Sequence, residues 1–298
     1  MSAPWLMLLA TLLFATMGVC VKLASAHYSA AEIVLYRSLV GALFLAGVVA
    51  VRGGSLRTAV PGMHFWRSLT GVCSLVLWFY AIGALPLATA ITLNYMSSVW
   101  MALFLLGGAV LFGAARVDGR LIAAVLTGFA GVALVLQPTL ERDQALGAAA
   151  GLASGLCAAM AYLQVTALGR AGEPEYRVVF YFSLGGTVAG ALLTLATGVH
   201  AHTPAGLGLL LATGVLATVA QVLMTRAYAI GRPLANASLQ YLGIVFSFVF
   251  GVLLFDDPVT AMALAGMALI IVAGVAASVL RQRSAAVRPD ATSSTLET

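Results

Sequence analysis

The chain has 298 residues, of which 62% are hydrophobic and 8% charged, with a mean hydropathy of +1.04 and a formal net charge of +5. Soluble domains carry about 25% charged residues, so this chain cannot cover a water-facing surface and lipid must be its main solvent. The basic residues are scattered singly rather than grouped, which fits membrane orientation and argues against nucleic acid as a partner.

Apolar runs of about 20 residues are long enough to cross the hydrocarbon layer as helices. Read between Gly, Pro and charge breaks, the sequence predicts ten: 4–24, 31–51, 65–83, 87–112, 120–138, 146–168, 176–196, 205–228, 233–255 and 260–279. The first reads as a retained span rather than a secretory signal, since no positive charge precedes Trp5 and Lys22 interrupts its end. The polar segment 281–298 reads as a disordered tail. Arginines fall on alternate connections: Arg52, Arg57, Arg67, Arg116, Arg120, Arg170, Arg177, Arg226, Arg232, Arg281, Arg283 and Arg288 on one side, against Lys22 and Arg142 on the other. The positive-inside rule then puts both termini in the cytoplasm of a multi-pass inner-membrane protein.

Tyr80-Ala81-Ile82-Gly83 recurs as Tyr228-Ala229-Ile230-Gly231, 148 positions later. The parallel continues through Pro86-Leu87-Ala88 and Pro233-Leu234-Ala235, then Leu93-Asn94-Tyr95 and Leu239-Gln240-Tyr241, and finally Gly131-Val132-Ala133 and Gly274-Val275-Ala276. Segments 1–140 and 141–280 therefore read as two copies of a five-helix unit. Five is odd, so the second copy enters the membrane from the opposite side. The expected fold is an all-α integral membrane protein of ten transmembrane helices in two inverted five-helix repeats, with a site near mid-membrane between them.

Polar residues at helical spacing mark faces that should avoid lipid, where an unpaired amide costs several kcal/mol. Arg67, Gly71, Ser74 and Trp78 share one face of the third span, and Gln221 lies on a polar face of the eighth. The repeat-related pairs Asn94/Gln240 and Tyr95/Tyr241 should converge on the pseudo-twofold axis, while Tyr162 and Trp78 sit too deep for an interfacial belt. Trp78, Asn94, Tyr95, Tyr162, Gln221, Gln240 and Tyr241 are accordingly the candidate substrate-binding residues, with helix–helix packing as the alternative reading of each. Lys22, Glu32 and Arg37 are the candidate gating or charge residues. Arg37 lies about 7–8 Å along the helix from Glu32 and could hold a substrate carboxylate, close an outer gate or pair with Glu32; Lys22 could also pair with Glu32. No Asp, Glu or His lies deep in a span, so the expected chamber is uncharged and suits neutral solutes. Gly147, Gly151 and Gly155, like Gly186 and Gly190, read as close-packing seams.

Together these features resemble the drug/metabolite transporter superfamily in its ten-helix EamA-type branch. Its carriers are Arg37 in the second span, Arg67 before a third span ending Phe79-Tyr80-Ala81, and a fourth span opening Pro-Leu-Ala and running through Asn94-Tyr95. The second half supplies Ala227-Tyr228-Ala229, Gln240-Tyr241, Phe246-Ser247 and Gly266-x-x-Leu269-Ile270-x-x-x-Gly274-Val275. The resemblance covers residues 4–280 and implies an exporter of metabolites or amino acids, similar to the aromatic amino-acid exporters. One departure is clear: the family often has an acid after both the fourth and ninth spans, and here Asp256-Asp257 follows the ninth but Gly113-Ala114-Ala115 the fourth. The expected function is export of small neutral solutes, most of all aromatic or bulky amino acids, by alternating access; a broader metabolite or drug permease is the alternative. The expected assembly is a monomer, with dimerisation on a glycine seam as the alternative. An integral-membrane enzyme would need a catalytic constellation, and no His-Glu-x-x-His, paired intramembrane aspartates or Ser/His dyad is present. No cofactor or metal is expected: Cys20, Cys73 and Cys157 lie in apolar runs, away from any Cys/His cluster.

Overall fold

The computed structural model describes residues 2–97, 144–230 and 239–286, with scattered positions between 99 and 134. Among these the chain is all helix: α1 (Ala3–Ala24), α2 (Ala30–Arg52), α3 (Pro61–Ala84), α4 (Leu87–Tyr95), α5 (Ala145–Arg170), α6 (Glu175–Thr197), α7 (Pro204–Ile230), α8 (Leu242–Phe255) and α9 (Ala261–Ala286). Six of them, α1–α3 and α5–α7, are long and apolar enough to cross a membrane, and two shorter apolar stretches lie in α8 and α9. Large side chains such as Leu43, Phe44, Val188, Leu192, Leu195 and Leu253 stand exposed around the bundle, as expected where the solvent is lipid. The chain is a multi-pass membrane protein.

Local signals set the boundaries. Ser29 and Glu32 form a reciprocal capping box that starts α2, and Gly53 ends it with a left-handed φ of 67°. Pro61 at the first position of α3 starts that helix four residues before the predicted span. This places Arg67 inside a helix rather than on a connection, so it leaves the set of loop arginines. α9 runs to Ala286, so the helix also takes the first six residues assigned to the tail. Much of the fifth predicted span, most of the fourth beyond Tyr95, the opening of the ninth and residues 287–298 lie outside the described residues.

The principal helix pairs are α1 with α7, α3 with α5, α2 with α6 and α4 with α8; α1 also meets α8 and α4 meets α5, α2 meets α7 and α3 meets α6. Exchanging α1–α4 with α5–α8 turns this set into itself. Glycine permits several of the contacts: a Cβ on Gly155 would stand 2.7 Å from the Leu93 carbonyl oxygen, and one on Gly190 would stand 2.7 Å from Leu35 Cα. The two glycine seams are thus filled from within the chain, by α3–α4 and by α2. Helical winding tightens at Met96 and again at Tyr241, where three-residue hydrogen bonds run from Met96 N–H to the Leu93 carbonyl and from Ile244 N–H to the Tyr241 carbonyl. With Tyr95 aligned to Tyr241, these two breaks fall within one residue of equivalent points of the repeated segment. Alternation of the helices gives the bundle two ends, one carrying Lys22 and Asp257, the other His64 and Glu173. None of the three cysteines is fully buried, and Cys73 is exposed.

Candidate functional site

A cavity of about 70 Å³ lies inside the bundle. That is room for several waters, since one needs about 10–15 Å³ by this measure. Residues 67, 71, 74 and 78 follow each other at helical spacing, and Arg67, Gly71, Ser74 and Trp78 form the α3 wall. Asn94 and Tyr95 contribute from α4, Tyr162 from α5, Gln221 from α7, and Gln240 from the turn before α8. Six of the seven candidate residues therefore share one chamber. Tyr241 is not part of its lining: it is buried in the apolar core with Met96 and Ile244. Adjacent residues on a helix point about 100° apart, so Gln240 and its neighbour take different surroundings.

Polar anchors hold this wall. Asn94 Nδ2 donates to Ser154 Oγ at 3.0 Å, Ser154 Oγ donates to the Gly151 carbonyl at 2.7 Å, and Ser74 Oγ donates to the Ser154 carbonyl at 2.8 Å. Ser154 thus ties α3 and α4 to α5 with every bond buried. Gln240 hydrogen-bonds Tyr162 and lies 3.4 Å from Met224 Sδ. The Tyr162 ring stacks with Tyr228 at 6.5 Å. Tyr228 faces a second cavity of about 290 Å³, lined also by Thr225, Arg170, Glu173 and Glu175 at the Glu173 end. The tyrosine pair stands between the two cavities.

The expectation of an uncharged chamber is not met. Arg37 from α2 and Arg67 from α3 both line it, 5% and 3% exposed. Both guanidiniums lie over one ring, with Arg37 Cζ 5.0 Å and Arg67 Cζ 4.1 Å from the Phe182 centroid. Arg37 Nε and Arg67 Nε and NH1 are buried without a hydrogen-bond partner. Among the described residues no ion pair involves either arginine. A cation over a ring gains about 0.5–2 kcal/mol, whereas burying an unpaired charge costs several. Two like charges within about 9 Å of each other add about 2 kcal/mol of repulsion at an effective dielectric of 20. Phe182 alone does not offset this. Neither Phe182 nor Ser154 stood out in the sequence, since a lone Phe or Ser in an apolar run carries no signal; Arg67 was visible on the right face but assigned to the loop side.

The other two charge candidates are engaged elsewhere than expected. Glu32 does not pair with Arg37 or Lys22: its carboxylate accepts from Ser29 N–H at 3.0 Å, from His200 N–H at 2.8 Å, and meets the His200 ring. Short local and cross-bundle bonds saturate it before Arg37 could reach it. Lys22 Nζ instead donates to Asp257 Oδ1 at 3.0 Å and to the Leu85 carbonyl at 3.3 Å, while Asp257 Oδ2 accepts from Leu87 N–H at 2.8 Å. The acid that follows the ninth span thus caps the start of α4, where the helix dipole favours a negative charge, and locks α1 to it. At the opposite end Glu173 accepts from Thr58 Oγ1 at 2.8 Å and from Arg177 at 3.1 Å, and meets His64 Nε2 at 3.1 Å. Burial works to raise the Glu173 pKa, but hydrogen bonds from Thr58, Arg177 and His64 outweigh it, and the net shift is downward.

Comparison with known proteins agrees with this architecture. The model of the EamA-like transporter family matches residues 1–137. A pseudopaline exporter of Pseudomonas aeruginosa is 35% identical over 93% of this chain and 96% of its own length. An uncharacterized transporter of Helicobacter pylori is 26% identical over 91% of this chain and 92% of its own. A riboflavin transporter of Rhizobium johnstonii is 33% identical over 59% of this chain and 56% of its own. One crystal structure shares the fold, with a TM-score of 0.66 and 20% identity over 95% of this chain and 98% of the other.

Proposed function

Because the chain belongs to the EamA-like transporter family and is a transporter rather than an enzyme, we propose that it exports a small solute, an amino acid or related metabolite, by alternating access. The observation that carries this reading is a single chamber walled by Trp78, Asn94 and Tyr95 from one half and Tyr162, Gln221 and Gln240 from the other. Ten spans in two inverted five-helix repeats, 1–140 and 141–280, are the frame it requires. That frame is supported by the repeated segments, by helix pairs that survive exchange of the halves, and by breaks at Met96 and Tyr241 that fall within one residue of equivalent positions. Pairing each helix with a mirror-related partner lets one half rock against the other about a fixed centre.

The chemistry of the walls suits a solute with both an apolar body and polar ends. Trp78 and the tyrosines offer aromatic surface, and the amides of Gln221, Gln240 and Asn94 offer donors and acceptors. With the cytoplasm at the Glu173 end, as the arginine bias suggests, solute enters through the second cavity and waits on the Tyr162–Tyr228 pair. The Lys22–Asp257 lock holds the far end shut in this conformation. Opening there requires the lysine to leave both Asp257 and the Leu85 carbonyl. A relative named as an exporter over nearly the full chain supports the outward direction.

The test uses purified protein in liposomes loaded with a labelled amino acid. Time-dependent release above protein-free vesicles is the expected result, and Tyr95→Ala and Gln240→Ala should each slow it while the protein still expresses and folds. Release at the protein-free rate for every amino acid and derivative in the panel would refute the reading.

A further inference from the structure

Arg37 and Arg67 approach Phe182 from opposite ends of the bundle. On their helices they stand about 10 Å from the Lys22 end and about 9 Å from the Glu173 end, so their guanidiniums meet near the middle of the membrane. Gly71, one turn after Arg67, opens the groove in which the Arg67 guanidinium lies, because a Cβ there would overlap its NH1 and stand 3.0 Å from Phe182 Cε2. Among the described residues three buried guanidinium nitrogens are without a protein acceptor, at Arg37 Nε and at Arg67 Nε and NH1. The opposite side of the chamber, with Tyr162, Gln221 and Gln240, carries only neutral groups.

We propose that the arginine pole is a carboxylate site and that the solute is net anionic at neutral pH, a metabolite with more carboxylates than ammonium groups. This rests on the reading of the chamber as the transport site. A planar guanidinium presents paired N–H donors that match the two oxygens of a carboxylate, and a charged acceptor makes the stronger hydrogen bond. Two such forks within about 9 Å of each other suit two carboxylates on one small solute, or one carboxylate shared between them. The same pair excludes cations, since a solute of net positive charge would meet two uncompensated like charges and no carboxylate to offset them. Neutral amino acids offer one carboxylate but bring an ammonium group that the chamber does not neutralise.

Two measurements test the site. In the first, purified protein in detergent is titrated with malonate against chloride at matched ionic strength, and thermal unfolding is followed. Malonate should raise the wild-type midpoint and leave Arg37→Gln and Arg67→Gln unmoved, while Arg67→Lys, which keeps charge but loses the fork, should keep part of the shift. Without malonate the Gln variants should melt no lower than wild type, because each removes a charge that lacks a partner. No malonate shift in the wild type, an equal shift in the Gln variants, or Gln variants that melt lower in chloride would overturn the inference. In the second, proteoliposomes are compared for L-glutamate and L-glutamine flux, expected to differ by about tenfold in favour of glutamate and to become equal in Arg67→Gln. Equal wild-type rates overturn the carboxylate site and leave transport standing. A malonate shift without flux of either amino acid supports the site and counts against the transport reading.

Discussion

The two ends of the bundle are built on the same backbone plan and closed by different chemistry. Glu32 and Arg177 are both the third residue of their helices, α2 and α6, and each reaches across to the connection beyond the partner helix, Glu32 to His200 and Arg177 to the Ser55 carbonyl. Tyr36 and Tyr181 are both the seventh residue, and each packs its ring on a histidine, His202 and His64. The Lys22 end has an additional tie, the Lys22–Asp257–Leu87 bridge that joins α1, α4 and the end of α8. At the Glu173 end the tie lies between the α2–α3 connection, α3 and α6, and a cavity of about 290 Å³ stays beside it. The helix pairs recur on exchange of the two halves, while the polar residues at the two ends differ.

Removing the additional tie should produce the largest change. Asp257→Ala leaves the Lys22 ammonium, 18% exposed, without its counter-charge and strips the α4 start of its cap. Breaking a fully buried pair this way costs about 3–5 kcal/mol, and partial exposure brings the expected loss to about 2–3. The check is thermal unfolding in detergent, together with labelling of a cysteine introduced at Leu85, which should become faster from the Lys22 side. Unchanged labelling would show that the bridge does not close that end.

Glu173→Gln should have the next effect, about 1–2 kcal/mol, because the amide keeps the Thr58 contact but leaves Arg177 and His64 without a charged partner. The same carboxylate gives the Glu173 end a pH dependence. Its pKa is lowered from the ordinary 4.5, so its stabilisation is complete above that value and is lost as pH falls through the lower, folded-state value. Unfolding followed from pH 7 to pH 3 should show a loss of stability that Glu173→Gln lacks; parallel profiles would remove Glu173 from the account.

Tyr228→Ala deletes one ring of the stack between the two cavities and should shift flux more than stability, raising access to the chamber from the Glu173 side. Labelling of a cysteine placed at Ala161 is the readout, expected to quicken several-fold. Smallest is Tyr181→Phe, which removes one hydrogen bond, 2.9 Å long, to the Leu56 carbonyl and should cost about 1 kcal/mol. A larger cost would mean that the ring and hydroxyl hold more of that end than the single bond accounts for.

The contrast between the ends also marks what was legible in the sequence. The stripe Arg67, Gly71, Ser74 and Trp78 was readable because a helix repeats every 3.6 residues and one polar face in an apolar run must turn from lipid. Asn94 and Gln240 were readable because the repeat placed them at equivalent points. The partners of the charges were not. Lys22 finds Asp257 235 positions away, and Glu32 finds His200 168 positions away, so adjacency in sequence pointed to Glu32 as the partner of both Lys22 and Arg37. Nothing local marks Phe182 as the ring beneath two arginines, or Ser154 as the hinge of three helices.

By itself the sequence determined the solvent, the apolar spans and the recurring motifs, because each is a matter of composition or of spacing along the chain. Tertiary packing decided which charges are paired, which are left facing the chamber, and that Tyr241 joins the core while Gln240 lines the wall. Those outcomes depend on which helix face meets which across more than a hundred residues. In a low-dielectric interior, a shift of a few ångströms separates a neutralised charge from an unpaired one.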